Sequence, residues 1–294
     1  MKKALKKFLQ KASAKILEPF ARGIANNRQT QILLSLRYKE VAARKESLSF
    51  EDVGFNVYSV THEDGILLYI FSLIGFTNRK CVDIGAGSIR GSSIANLIMN
   101  HGFTGLLVDG DPHSIAVAKD FYLSQSEDSF TPPNLISAMV TAEGINKLLE
   151  GHKYTGAMDL FCLDIDGVDY WIWKALDIIQ PRVVVVEYQD LLGPDHAWTV
   201  PYSPTFSTEN YPVNKHDKNY CGASLRAFVN LGKQKGYRLI GCNKGGWNAF
   251  FLRNDIGADI FPEVSVESCL QSEWNLYGYK HRYPLVKDME WVEV

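Results

Sequence analysis

The chain has 294 residues, 46% of them hydrophobic and 22% charged, with a formal net charge of -2. Such a length suits one large α/β domain with appendages, or two small domains, and the composition is that of a globular protein able to bury a core. So small a charge gives no general pull toward nucleic acid, and no nucleic-acid partner is expected.

Five cysteines (Cys81, Cys162, Cys221, Cys242 and Cys269) stand without a CxxC pair, which argues against a zinc ribbon, and their odd number argues against a disulfide framework. Cys81 and Cys162 sit in apolar strand-like runs, where a thiol acts as a small hydrophobe. A reducing, cytoplasmic setting fits best. The longest apolar run, 66–76, is well short of the roughly 20 residues that span a bilayer, and reads as a buried helix.

In chain order, residues 1–24 carry seven Lys/Arg against the single acid Glu18. Leu5, Phe8, Leu9, Ala12, Ile16 and Phe20 recur at helical spacing, so a basic amphipathic helix is expected. It suits peripheral contact with an anionic membrane, or packing on its own domain or on a second subunit of a homo-oligomer. A second helix is expected over 30–45. Thr61-His62-Glu63-Asp64 has the form of a capping box with Thr61 as N-cap, opening the apolar helix that Gly75 ends.

Beyond it, strand-like segments at 80–84, 105–108, 135–140, 160–165 and 183–187 alternate with helical ones at 91–101, 112–121, 144–150 and 169–178. Short apolar strands separated by helices indicate a mostly parallel sheet covered on both faces. A helix over 223–235 and strands at 238–242 and 248–253 follow, the last two joined at Gly245-Gly246. The expected fold is thus a Rossmann-like, doubly wound sheet with an antiparallel C-terminal hairpin strand and N-terminal helices. Three parts are expected: a helical segment 1–48, a main domain 49–260 with a lid or substrate segment 191–220, and an extension 261–294.

Chemistry concentrates at the strand ends, where ligands of open α/β sheets bind. Asp83-Ile84-Gly85-Ala86-Gly87 follows the first strand, and glycines there let the backbone approach a ligand closely. Asp83 would answer the ammonium of a methionine moiety. Asp109, followed by Gly110, ends the second strand and can accept both ribose hydroxyls of a nucleoside. That pairing alone admits NAD as well as S-adenosylmethionine. Thr141 and Ala142 follow the third strand, where the adenine edge would lie. Asp164 and Asp166, placed on one side by strand alternation, join Glu187 at the end of strand five. Such converging acids call for a cation nearby: the sulfonium cofactor, a protonated substrate amine, or a divalent metal, for which an all-oxygen set suits Mg2+ or Ca2+ with Asp164 and Glu187 as ligands. Asp164, Asp166 and His196 are the candidate general bases. Tyr170-x-x-x-Lys174 imitates a dehydrogenase pair but follows the wrong strand, and Ala157 stands where a serine would be needed. An NAD(P)-dependent oxidoreductase is therefore the weaker alternative.

Taken in sequence, Asp83-Ile84-Gly85-Ala86-Gly87, Val108-Asp109-x-Asp111-Pro112 and Leu163-Asp164-Ile165-Asp166-Gly167-x-Asp169 resemble the motifs of FkbM-type methyltransferases, a branch of the class I S-adenosylmethionine-dependent enzymes. Gly236-Tyr237-Arg238-Leu239 and Asn248-Ala249-Phe250-Phe251 resemble that family's final hairpin. Leu163 departs from it, standing where the family often has lysine, and Asp166 and Asp169 replace its glutamates. The resemblance covers roughly 57–255. It implies S-adenosylmethionine as cofactor, with Asp83, Gly85 and Gly87 at the methionine part, Asp109 at the ribose, Ala86 and Gly110 beside them in the cofactor site, and Asp164 and Asp166 lining the reaction side. It further implies O-methylation of a sugar, glycan or small-metabolite hydroxyl by direct in-line transfer. A non-catalytic cofactor-binding protein on the same fold is the other alternative.

Overall fold

The computed structural model describes residues 28–125 and 130–294. The amphipathic helix expected over 1–24 lies outside the described residues.

Helix α1 (Arg28–Ala43) packs on α2 (Glu63–Ile74), an apolar helix buried from Glu63 to Ser72 and stopped by Gly75. The core then follows as β1 (Lys80–Ile84), α3 (Ala95–His101), β2 (Thr104–Asp109), α4 (Pro112–Ser124), β3 (Asn134–Ser137), α5 (Ile145–Gly151), β4 (Gly156–Leu163), α6 (Asp169–Ala175) and β5 (Ile179–Glu187). A two-residue strand β6 (Trp198–Thr199), helix α7 (Leu225–Gln234) and the hairpin β7 (Tyr237–Cys242) and β8 (Asn248–Arg253) follow. Strand β9 (Val292–Glu293) pairs with β6 as a separate two-stranded sheet.

The main sheet has seven strands in the order β3-β2-β1-β4-β5-β8-β7. Every strand is parallel except β8, which runs antiparallel between β5 and β7, with Glu187 opposite Asn248. The doubly wound sheet with a reversed hairpin strand is thus as expected. Residues of alternating parity feed two cores. Val82, Ile84, Val184 and Val186 face α5, α6 and α7, while Cys81, Cys162, Val183 and Val185 face α1, α2 and α3. Full burial on both faces explains the unbroken valine run Val183–Val186. Among the described residues, no helix is long and apolar enough to cross a membrane.

Local expectations needed correction at several places. Thr61 is not a helix cap: the N-cap of α2 is His62, at φ +78°, with no side-chain capping bond. The Asp64 carboxylate instead accepts the N–H groups of Val57, Tyr58 and Ser59 at 2.7–2.8 Å, pinning the preceding loop. The helix expected from 91 begins only at Ala95, ten residues past Gly85. Strand β4 ends at Leu163, so Asp164 and Asp166 do not share a side by alternation; they lie in a turn where Asp166 has φ +56°. Asp169 closes that turn by accepting the N–H groups of Ile165 (2.8 Å) and Gly167 (2.9 Å).

Candidate active site

The carboxyl ends of β1, β2 and β4 open onto a recess of about 430 Å³, within the roughly 300–1,000 Å³ of small-ligand sites. Its floor is the loop from Gly85 to Gly87. Gly85 has φ +82°, and a Cβ there would stand 1.6 Å from the Asp164 carbonyl oxygen, so only glycine lets this turn cross the end of β4. Gly87 has φ +59°, but a Cβ there would meet no protein atom within 4 Å: it faces the open recess. Asp109 holds the loop in place. One of its carboxylate oxygens accepts from the Gly87 N–H and the other from the Asp111 N–H, each at 2.7 Å. The helix cap at this point is Asp111, which accepts from His113 and Ser114 at the start of α4.

Asp83 does not line this recess. It is buried, with 3% of its surface exposed, and accepts a 2.8 Å hydrogen bond from the Ser92 hydroxyl. Burial raises its carboxyl to about 6. Its task is to hold the long loop that runs from the glycines into α3. Thr141 and Ala142 also fall outside the recess. The Thr141 hydroxyl accepts from the Gly144 N–H ahead of α5, and the Ala142 N–H donates to the Tyr202 hydroxyl. Ala138, Met139 and Val140 take the wall expected of them, with Phe206 and Pro204 of the 191–220 segment above.

Asp164, Asp166 and Glu187 do come together, with one carboxylate oxygen of each within 4.8 Å of the others. Asp164 opens onto the recess, yet the protein crowded around it, with Asp166 alongside, raises its carboxyl to about 7. Glu187 is pushed well up by burial and by Asp164, to which it is hydrogen-bonded. Two such groups share a proton more readily than both ionise. One cation does reach these acids: Lys218 pairs with Asp166; burial would lower its ammonium, but the hydrogen bond to Asp166 and the neighbouring carboxylates raise it. No linear pattern marks Lys218, though its position in the long polar segment above the strand ends is a weak signal. It places a lysine at the cluster although Leu163 stands where the resembled motif often has one.

His196 is not at the cluster. Its ring stacks on Trp198 at 3.8 Å, its Nε2 lies 3.1 Å from the Tyr283 hydroxyl, and it lines neither the recess nor its neighbour. The imidazole that lines a recess together with Asp166 and Glu187 belongs to His216. Glu187 and Asp166 open onto a second recess of about 310 Å³, which meets the first at Asp166. Tyr170, the decoy, is buried against Phe228 and Trp171.

Residues 261–294 hold the segment above the site. Arg282 forks onto Asp190 (2.9 and 3.2 Å) and Asn219 (2.8 Å), Tyr220 donates to the Glu290 carbonyl, and Trp291 stacks on Trp198.

No family model matches the chain, and no curated protein does. Solved structures similar in part include PKMT2 from Rickettsia typhi in complex with AdoHcy, at 12% identity and a TM-score of 0.45, covering 70% of this chain and 56% of that one. An arsenic(III) S-adenosylmethionine methyltransferase from Chlamydomonas reinhardtii matches at 14% identity and 0.39, over 61% and 63% of the two chains. A magnesium protoporphyrin IX methyltransferase from Synechocystis, with bound SAH, matches at 10% and 0.39, over 65% and 81%. The first two matches span less than two thirds of the other protein.

Proposed function

We propose that the chain is an S-adenosylmethionine-dependent methyltransferase acting on an oxygen nucleophile. One observation carries the reading: among the described residues, the recess at the glycine loop is lined by Asp109, Asp164 and Asp166 and by no lysine, arginine or histidine. A dinucleotide's pyrophosphate would be repelled there, and the nearest following helix begins too late, at Ala95, to present its N-terminus at the glycine turn. A cofactor bearing an ammonium and a sulfonium is attracted instead.

The residues fit such a group. Each Asp109 oxygen spends one lone pair on a backbone N–H, leaving the other for a ribose hydroxyl. Gly87 leaves space for close approach, and Met139 and Phe206 offer apolar walls to a purine. When bound, the cofactor supplies a methyl group already activated for displacement. The protein then has to hold the acceptor in line and take its proton. We assign the proton to the Asp164–Glu187 pair, which spans the wall between the two recesses, with Lys218 balancing the remaining charge. The clustered carboxylates also suit Mg2+, but Lys218 already meets that charge; loss of turnover in EDTA, restored by Mg2+, would favour the metal.

The FkbM-like motifs support a sugar, glycan or small-metabolite hydroxyl as acceptor, and the five free cysteines support a cytoplasmic setting. The basic stretch 1–24 supports peripheral contact with an anionic membrane, as do Ile32, Leu33 and Leu36, all exposed on the helix that follows it. Calorimetry on Asp109→Ala tests the cofactor assignment. AdoHcy affinity should fall at least tenfold, since a hydrogen bond to a charged group contributes about 1.5–3 kcal/mol; an unchanged affinity would remove the assignment. Detectable AdoHcy formation with any acceptor excludes the non-catalytic reading.

A further inference from the structure

We infer that the methyl acceptor is a hydroxyl-bearing organic cation, seated in an aromatic groove that continues from the acceptor recess; calling this ligand the acceptor rests on the methyl-transfer reading above. The 310 Å³ recess beside Glu187 shares Asp217, Trp247 and Trp274 with a larger cavity of about 1230 Å³. The two form one groove leading away from the acid cluster. Its walls are aromatic at the junction. Trp247 meets Trp274 edge to face at 6.0 Å, and Tyr277, half exposed, stacks on Trp274 at 5.8 Å. Phe50 and Phe261 extend the wall further out.

The charges of the groove are lopsided. Each lysine and arginine lining it already has a carboxylate: Lys218 has Asp166, Lys244 has Glu51 and Arg282 has Asp190. Asp217 and Glu273, both exposed, line the same space and form no ion pair with a lysine or arginine among the described residues. Unpaired carboxylates beside indole and phenol rings favour a cation, because the ring faces carry negative potential and the carboxylates supply the counter-charge. The protein already uses one ring this way, with the Arg282 guanidinium 4.8 Å from the Trp274 centroid. A neutral apolar ligand would leave the carboxylates unanswered, and an anion would meet repulsion.

The Trp274 indole N–H adds a second requirement. That N–H is buried and has no hydrogen-bond acceptor among the described residues, a cost that a ligand oxygen would remove. A compound carrying both an ammonium and a hydroxyl answers the carboxylates, the rings and the indole together. With its cation among the rings, its hydroxyl can lie toward Glu187 and the cofactor recess.

The test compares choline with 3,3-dimethylbutan-1-ol, its uncharged analogue of the same shape. Binding of each to the full-length protein is measured by ligand-detected NMR and calorimetry, with and without saturating AdoHcy. Choline should bind at least tenfold tighter than the neutral analogue. Asp217→Asn combined with Glu273→Gln should reduce choline to the level of the neutral analogue, and Trp247→Leu should weaken it at least fivefold. AdoHcy affinity within twofold of wild type shows each variant to be folded. Equal binding of the two probes, no binding of either, or choline binding untouched by the double variant would overturn the inference. Should the wild type fail to bind AdoHcy, the methyl-transfer reading falls, while the preference for the cation stays readable in the protein without AdoHcy.

Discussion

Two glycines two residues apart should fail in different ways when given a methyl group. At Gly85 a Cβ would stand 1.6 Å from the Asp164 main-chain oxygen, at a φ of +82°. That oxygen cannot swing aside like a side chain. Relief requires the β1 turn to move away from β4 by more than 1 Å, against the hydrogen bonds from Gly85 N–H to Val108 (2.8 Å) and from Asp164 N–H to Ile84 (2.9 Å). Left-handed strain and overpacking together make Gly85→Ala cost about 2–5 kcal/mol. At Gly87 the φ is +59°, yet the new methyl would meet no protein atom within 4 Å. Only strain of about 1–2 kcal/mol applies to stability, but the methyl enters the ligand's space, where overpacking of about 1–3 kcal/mol lowers affinity roughly ten- to hundredfold. Thermal unfolding and AdoHcy calorimetry on both variants separate the effects. Gly85→Ala should lose several degrees more than Gly87→Ala, at about 2–4 °C per kcal/mol. Gly87→Ala should stay folded and lose AdoHcy. Equal melting losses, or a Gly87→Ala protein that binds AdoHcy like wild type, would refute the geometry of the loop.

Asp83 should make folding stability depend on pH with an inverted sign for an acid. Its carboxyl titrates at about 6 folded against 3.8 unfolded; the native state therefore holds more protons between these values, and stability falls as pH rises through them, by up to about 3 kcal/mol. Denaturant melts of Asp83→Asn should show this slope flattened, whereas an unchanged slope would place its origin elsewhere. His196→Ala should keep AdoHcy formation within about twofold of wild type. Lys218→Met, which strips the acid cluster of its cation, should reduce it at least tenfold; the reverse ranking would return the catalytic role to His196. Full-length protein should float with anionic liposomes and a chain starting at Leu48 should not; equal flotation of both would sink the membrane proposal.

The sheet was legible because its strands are buried on both faces, which turns 105–108 and 183–186 into unbroken apolar runs. Edges were not. Strand β4 reaches back to Gly156 only through pairing with Ile179–Pro181, which leaves no trace in hydrophobicity, and β3 is half exposed and short. Thr61 had the form of a cap, but the carboxylate of Asp64 is consumed by N–H groups several residues upstream. At the site, Gly85, Gly87, Asp109, Asp164, Asp166 and Glu187 were readable from their positions at strand ends, where geometry concentrates ligand contacts. Lys218, His216, Trp247 and Trp274 come from a loop, a hairpin turn and the short helix Glu273–Tyr277. Nothing in their spacing brings them together; the fold does. His196 was misplaced for the converse reason, since nearness in sequence to Glu187 says nothing of a ring that stacks on Trp198.

The most direct test of the sulfonium-cofactor assignment is calorimetry of the full-length protein with AdoHcy and, separately, with NAD. Saturable AdoHcy binding in the micromolar range with no NAD binding is the expected result. Binding of NAD without AdoHcy would contradict it.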